Sequence, residues 1–199
     1  MRVGPSPAPA GDEARRAALQ RFARRVAACR RCPLGAQRTR AVVYRGSPSP
    51  RLVFVGEAPG AAEDRAGVPF VGRSGQILDR AIATLGLSED GFGILNVLKC
   101  RPPGNKFDRA AAAACRPHFE RQLALLAPRA LVSLGASALR ALDPTAPPVL
   151  RAAGTPRPTP FGAVFPLVHP AASLRSGAMR TRWTNDLVRL ADWVAASGV

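Results

Sequence analysis

Short apolar segments alternate with amphipathic ones along most of this chain, and this alternation limits the possible folds more than any other feature. The apolar segments are rich in Val, Leu, Ile and Phe and are short, which favours buried strands. Four segments are predicted to be strands: residues 51–55, 92–98, 130–134 and 163–168. Strands that alternate with helices form a parallel sheet with helices on both faces. The sequence therefore predicts an α/β fold, a three-layer α/β/α domain around a mostly parallel sheet of four strands.

The intervening segments carry apolar residues at helical spacing. Helices are predicted over residues 12–28, 74–85, 109–126, 136–142 and 180–196. Asp12 and Ser74 stand where the first two helices begin, and both are residue types that cap helix N-termini. A strand-like stretch covers residues 41–44, and the Pro-rich stretch 143–160 is predicted to end in an edge hairpin.

The chain is predicted to comprise a leader and one domain. Residues 1–11 are rich in Pro, Ala and Ser and lack the basic-then-apolar order of a secretory signal, so we expect a flexible leader on a cytoplasmic protein. Residues 12–199 fit a single domain. No apolar run approaches the roughly 18 residues that a membrane span requires, so no membrane partner is expected.

Basic residues outnumber acidic ones 29 to 13, which gives a formal net charge of +16. Such a charge favours a polyanionic partner such as nucleic acid. Compositional bias in the coding DNA is an alternative, because Lys99 and Lys106 are the only lysines and the other basic residues are arginine. That bias does not explain the excess of basic over acidic residues.

The four cysteines have an irregular spacing. Cys29 and Cys32 form a C-x-x-C pair, whereas Cys100 and Cys115 lie far downstream. Disulfides are disfavoured because nothing in the sequence indicates secretion. Four thiolates suit zinc, whose knuckles are commonly two C-x-x-C pairs, and they also suit an iron–sulfur cluster. Spacing alone leaves a cluster, zinc and unrelated buried cysteines all open.

The loop after the first predicted strand reads GEAPG, at residues 56–60. Ligands of open parallel sheets bind at the carboxyl ends of the strands, where this loop lies. Its glycines allow close approach of the backbone to a ligand, and a carboxylate at Glu57 can orient a water or stabilise positive charge. The structural alternative is a tight turn that exposes its acidic residues.

A second Gly/Pro-rich loop, residues 67–75, leads into a helix. The free N–H groups and dipole of that helix N-terminus, at Ser74, favour an anion such as a DNA phosphate. The core is the default position of phenylalanine, but Phe70 lies in a Gly/Pro loop rather than on a periodic face, which makes it a candidate stacking platform as well.

Asn96 and His169 lie near the carboxyl ends of predicted strands, where parallel sheets bind their ligands. Asn96 lies in an apolar strand and offers a donor and an acceptor, the complement of O4 and N3–H of a pyrimidine. His169 directly follows a predicted strand. Each residue also has a structural interpretation, as a satisfied buried amide and a satisfied core histidine.

Four ordered motifs together resemble the family 4 uracil-DNA glycosylases, the iron–sulfur, thermostable-type branch of that superfamily. They are GEAPG at 56–60, ED at 63–64 with GVPFVGRSGQILD at 67–79, LNVLKCRPPGN at 95–105 and HPAASLR at 169–175. The cysteines also fall where this family places its cluster ligands. The resemblance implies the uracil-DNA glycosylase fold and a monofunctional enzyme of base excision repair, which acts as a monomer on uracil in single- or double-stranded DNA of a bacterium or archaeon.

The resemblance further implies roles for individual residues. Glu57 would position the attacking water and stabilise the cationic sugar, and His169 would donate to O2 of the departing uracil. Phe70 would stack on the flipped base and Asn96 would read its edge. Gly56 and Ala58 would complete the uracil pocket. The residues implied in DNA binding are Ser74, Leu174 as a wedge and Arg175, and the implied ligands of a [4Fe–4S] cluster are Cys29, Cys32, Cys100 and Cys115.

This chain departs from the family pattern in two places. Lys106, Phe107 and Asp108 stand where family members commonly have Arg and then Pro. Ala172 and Ser173 replace bulkier residues beside the implied wedge, which weakens its support.

Overall fold

The computed structural model describes residues 11–88 and 90–198. Its described strands, numbered in chain order, are β1 (Arg45–Gly46), β2 (Leu52–Gly56), β3 (Phe92–Asn96), β4 (Ala130–Leu134), β5 (Arg157–Thr159) and β6 (Gly162–Leu167). Every residue of β2, β3 and β4 is buried, as expected for strands with helices on both faces.

The sheet has the order β1-β3-β2-β4-β6-β5. Its four central strands are parallel, which confirms the predicted core of the sheet. The prediction of four strands is corrected to six, because short antiparallel strands β1 and β5 pair the outer edges of β3 and β6. The hairpin β5–β6 is the predicted edge hairpin. The prediction of a strand at residues 41–44 is wrong, since the pairing with β3 begins only at Arg45.

The helices surround this sheet. They are α1 (Asp12–Ala27), α2 (Leu34–Gln37), α3 (Ala61–Ala66), α4 (Arg73–Thr84), α5 (Arg109–Leu126), α6 (Ala136–Leu142), α7 (Val149–Ala152) and α8 (Gly177–Ser197). Short 3₁₀ helices cover Pro103–Asn105 and Pro170–Leu174.

Both predicted helix caps are wrong, for a common reason. Asp12 and Ser74 lie inside α1 and α4, whose cap positions are Gly11 and Gly72. The Asp12 carboxylate instead accepts a hydrogen bond from Ser49, and the Gly72 N–H is bound by a distant carboxylate. Tertiary partners thus replace the local caps that the sequence favoured.

Two apolar clusters cover the faces of the sheet. On one face, Phe54 and Ile94 pack with Leu78 of α4 and Leu190 of α8. On the other face, residues of α5 and α6 pack against β2, β3 and β4, with Phe119 fully buried. α1 lies outside α5 through Phe22 and Val26. The three-layer arrangement is therefore as predicted.

Of the predicted leader, residues 1–10 lie outside the described residues. Among those described, no helix combines the length and the apolar character that a membrane span needs.

Candidate functional site

The carboxyl ends of β2, β3 and β6 bring four of the predicted site residues together. Gly56 and Asn96 are register partners at the ends of β2 and β3. A Cβ added at Gly56 would collide with Asn96 Oδ1 and lie 2.5 Å from Cε2 of Phe70. The Phe70 ring lies 6.2 Å from the His169 ring, centroid to centroid. Glycine at position 56 is therefore required by the close approach of these side chains.

Asn96 presents an unused acceptor in this site. Its side chain is 1% exposed, and Oδ1 is buried without a hydrogen-bond partner among the described residues. A buried amide oxygen without a partner costs about 1–3 kcal/mol. Such a cost is relieved when a ligand brings a donor to that position.

Phe70 is held in an uncommon backbone conformation. Its φ is +55°, in the left-handed region that bulky residues rarely adopt. Its carbonyl accepts a hydrogen bond from Arg45 Nη1 at 3.3 Å, and the absence of a side chain at Gly75 leaves room for that carbonyl. Strain of this kind, held by surrounding contacts, is typical of functional sites.

His169 has a defined tautomer. Its Nδ1 accepts a hydrogen bond from the Ala171 N–H at 3.2 Å, so the proton of the neutral ring lies on Nε2. Burial lowers the pKa of His169, while the nearby Glu57 carboxylate raises it and Arg175 lowers it. His169 therefore presents a neutral ring whose Nε2–H can donate to a ligand.

Glu57 is half-buried beside this histidine. Its backbone carbonyl accepts from the Leu98 N–H at 3.0 Å, which fixes the loop against the chain after β3. Within the described residues its carboxylate has no hydrogen-bond partner. That group is free to bind water or to face a positive charge.

The predicted DNA-binding residues lie around this group rather than in it. Leu174 is 54% exposed at the end of the 3₁₀ helix that starts beside His169, and Arg175 is exposed next to it. Ser74 is half-buried in the first turn of α4, which packs against that 3₁₀ helix. Ala58 points the other way and packs on the cysteine cluster. An exposed leucine beside the site is consistent with the implied wedge.

The four cysteines line one pocket, although distant segments of the chain supply them, after α1, after β3 and within α5. That pocket is lined by Val26, Cys29, Arg31, Cys32, Gly35, Arg38, Lys99, Cys100, Ala114, Cys115 and His118. Gly35 is needed there, since an added Cβ would lie 2.5 Å from the Cys29 carbonyl oxygen. Within residues 11–88 and 90–198, no group of three or more His, Cys, Asp or Glu side chains is arranged to hold a metal ion.

Comparison with known proteins decides the family. The model of the Uracil DNA glycosylase superfamily matches residues 43–189. The chain is 36% identical to the type-4 uracil-DNA glycosylase of Pyrobaculum aerophilum, over 85% of this chain and 91% of that protein. It is also 36% identical to the type-4 uracil-DNA glycosylase of Thermotoga maritima, over 87% of this chain and 93% of that protein. The chain belongs to the type-4 uracil-DNA glycosylase family. This membership confirms the resemblance that the ordered motifs indicated.

Basic side chains lie close to the buried cysteines of this type-4 family member. Arg38 Nη1 donates to Cys100 Sγ at 2.9 Å, and the buried Lys99 lies beside Cys100 and Cys115. Burial raises the pKa of both thiols, whereas Arg38 lowers that of Cys100 and Lys99 lowers that of Cys115. Four cysteines around one pocket, with Arg31, Arg38 and Lys99 also in its lining, are a donor set that suits a cluster carrying negative charge.

Lys99 connects the cysteine pocket to the candidate site at the strand ends. Its side chain is 1% exposed, and Nζ donates to the backbone carbonyl of Asn96. Burial lowers the pKa of Lys99 to about 8, and the adjacent Cys115 and Cys100 raise it.

Glu63 is the site residue that sequence reasoning missed. Its Oε2 accepts from the Gly60 N–H at 3.0 Å, and its Oε1 accepts from the Val71 and Gly72 N–H groups at 3.0 and 2.7 Å. One carboxylate therefore ties the Glu57 loop to the Phe70 loop. Its signals in the sequence were its membership of the ED pair that matches the family and its place three residues after the glycine that caps α3.

Proposed function

We propose that this chain removes uracil from DNA by hydrolysing the N-glycosidic bond of a flipped-out deoxyuridine, which leaves an abasic site for base excision repair. The observation that carries the proposal is the buried, unpartnered Oδ1 of Asn96, enclosed by Gly56 and Phe70. Family membership supports it independently, because the matched relatives are named uracil-DNA glycosylases.

The base must leave the duplex before it reaches this pocket, since its glycosidic bond is inaccessible inside the stack. The exposed Leu174 fills the gap in the stack, and Ser74 and Arg175 bind phosphates on either side of the flipped nucleotide. The Phe70 ring stacks on the uracil and Gly56 forms a wall of the pocket, whereas the implied role of Ala58 is not supported, because its side chain packs on the cysteine cluster.

Asn96 discriminates uracil from cytosine. Its Oδ1 accepts from N3–H of uracil, and its amide N–H donates to O4. Cytosine presents an acceptor at N3 and a donor at N4, so both amide groups would stay unpaired in a buried site. A buried site that pairs with the polar groups of its substrate discriminates strongly in kcat/KM against an analogue without those groups.

Bond cleavage separates a cationic sugar from a uracil anion. The Nε2–H of neutral His169 donates to O2 as negative charge develops there, and it is preorganised by the Ala171 contact. The Glu57 carboxylate stabilises the sugar cation and positions the water that attacks C1′. The water's proton leaves to solvent or to Glu57, and the products are uracil and an abasic site.

We further propose hydrolysis without a lyase step. A lyase needs an amine that attacks C1′, and the chain has only two lysines. Lys99 is buried and hydrogen-bonded to Asn96, while Lys106 follows the 3₁₀ helix beyond the cysteine segment.

We propose that Cys29, Cys32, Cys100 and Cys115 hold a [4Fe–4S] cluster. When bound, such a cluster supplies a cross-link among distant chain segments through its four iron–thiolate bonds. Arg38 and Lys99 offset its negative charge. No redox step is required by the hydrolysis, so the role is structural.

The test is base release from oligonucleotides that contain U:G, U:A, single-stranded U, hypoxanthine or T:G, read as strand cleavage after alkali. We expect release of uracil from the wild type and a loss of about 10²-fold or more in Glu57→Gln, which keeps size but removes charge. Release of hypoxanthine alone would reject the assignment. A covalent DNA adduct after borohydride treatment would reject the hydrolytic mechanism.

A further inference from the structure

A second cavity, remote from the uracil site, lies between α1 and α5. It is lined by Ala18, Arg21, Phe22, Arg25, Arg31, Pro117, His118, Arg121 and Leu125. Its volume is about 270 Å³, which exceeds the roughly 30 Å³ that one water occupies in the liquid several-fold. A tetrahedral oxyanion with part of its hydration therefore fits.

The four arginines of this cavity have no counter-charge. No acidic residue lines it, and within the described part of the chain none of the four forms an ion pair or a side-chain hydrogen bond. Elsewhere arginines do pair with acids, as Arg116 does with Glu120 at 2.6 Å. Like charges held together raise the free energy of the folded state, and an anion between them removes that cost.

His118 adds a polar group to the same cavity. Its Nε2 is buried without a partner among the described residues, and its ring contacts Phe22 edge-on at 5.9 Å. The charges of Arg31 and Arg25 contribute to a lowered pKa of His118, after the larger effect of burial.

We propose that this cavity binds a phosphate group of the DNA backbone, away from the flipped nucleotide. Guanidinium groups bind phosphate oxygens through paired hydrogen bonds, and four of them surround one cavity here. The proposal that the ligand is DNA rests on the proposed function.

The position of the cavity supports DNA over a free anion. Arg31 and His118 line both this cavity and the cysteine pocket. Ala58, from the loop that holds Glu57, packs against the cluster of cysteines. The cavity, the cysteine pocket and the loop that holds Glu57 are therefore successive neighbours in the fold.

The same helix offers a matched control. Arg16 and Arg24 of α1 line a different groove, with Gln20 and Tyr44. Arg16→Gln/Arg24→Gln and Arg21→Gln/Arg25→Gln remove equal charge from one helix, and glutamine preserves its helix propensity. Arg121→Gln tests the cavity from α5 without altering α1.

The experiment measures the affinity of each variant for a short duplex without uracil as a function of salt. We expect Arg21→Gln/Arg25→Gln to raise Kd about tenfold and to reduce the slope of log K against log salt by about 0.9 for each phosphate that the variant no longer binds. Arg121→Gln should act in the same direction. Arg16→Gln/Arg24→Gln should change the slope less, and equal slopes for the two double variants would overturn the proposal.

A second arm distinguishes free phosphate from DNA. Inorganic phosphate is added at constant ionic strength, and the unfolding temperature of the wild type is compared with that of Arg21→Gln/Arg25→Gln. If phosphate stabilises only the wild type while the salt slopes agree, the cavity binds a free oxyanion and the DNA assignment is wrong. Because the duplex holds no uracil, a reduced slope supports the cavity even if uracil release fails.

Discussion

At the scale of single residues, the candidate site contains polar groups that have no partner or a free donor within the described structure. Asn96 keeps a buried acceptor unpaired, and His169 keeps its Nε2 proton because the Ala171 N–H occupies the other ring nitrogen. The sequence predicts that the Asn96 amide pairs with a pyrimidine, and the family resemblance implies that His169 does so too. Their unpaired state could not be predicted, since it depends on which neighbours approach them.

His169 supplies the first prediction at this scale. His169→Ala should lower the rate of uracil release about 10²–10³-fold, because the developing charge on O2 loses its donor. His169→Asn keeps a side-chain acceptor for the Ala171 N–H but lacks the imidazole ring and its Nε2–H donor. Single-turnover rates and thermal unfolding temperatures are measured for both variants. Relative to His169→Ala, His169→Asn should recover stability but not activity. Restoration of both would assign His169 a structural role.

The lowered pKa of His169 also predicts a pH dependence of stability. The unfolded chain binds a proton near pH 6.5, whereas the folded chain binds it only at lower pH. The unfolded state therefore holds more protons in this window, and stability falls as pH decreases from about 6.5 through the folded pKa. Measured by denaturant titration, the free energy of unfolding should decrease more across this pH window for the wild type than for His169→Asn. Equal losses would contradict the prediction.

At the scale of elements, the loop after β2 and the loop between α3 and α4 both contribute to the candidate site, and the Glu63 carboxylate joins them. The predicted helix starting at Ser74 begins one residue earlier, because Glu63 binds the N–H of Gly72. Strand and helix cores were predictable from apolar periodicity. The edge strand Arg45–Gly46 and the caps were not, since both depend on partners far along the chain.

Removal of the Glu63 carboxylate should therefore lower the rate of uracil release, although Glu63 does not contact the substrate. Glu63→Ala frees the N–H groups of Gly60, Val71 and Gly72, and displacement of the Phe70 loop by about 1 Å can cost about 10²-fold in rate. Hydrogen exchange at these three amides should rise in parallel. Glu120→Ala, an exposed acid paired with Arg116, is the charge-matched control and should leave both measurements unchanged.

At the scale of the whole molecule, the cysteine pocket joins the first and fifth helices to the chain after β3. Cys32, Cys100 and Cys115 pack in one apolar cluster with Leu34 and Ala58. If an iron–sulfur cluster cross-links these distant segments, the free energy of cluster binding contributes to the stability of the fold. The pocket therefore links the stability of the fold to the loop that carries Glu57.

Substitution of a cysteine should remove the iron–sulfur cluster and weaken the fold. We expect Cys115→Ala to lose iron and the visible absorbance of the cluster, and its unfolding temperature to fall by about 2–4 °C for each kcal/mol of reduced stability. Ala114→Ser, in the same pocket, should keep both properties. Stoichiometric zinc without visible absorbance in the wild type would contradict the iron–sulfur assignment.

The sequence by itself determined the four parallel strands, the helices that cover them and the family, because apolar periodicity and ordered motifs are local properties. Only the tertiary structure brought Gly56, Phe70, Asn96 and His169 to one sheet edge in contact with one another. It alone revealed the role of Glu63 and the arginine-lined cavity beside His118. The physical reason is that hydrogen bonds, burial and uncompensated charge depend on distances between residues far apart in the chain.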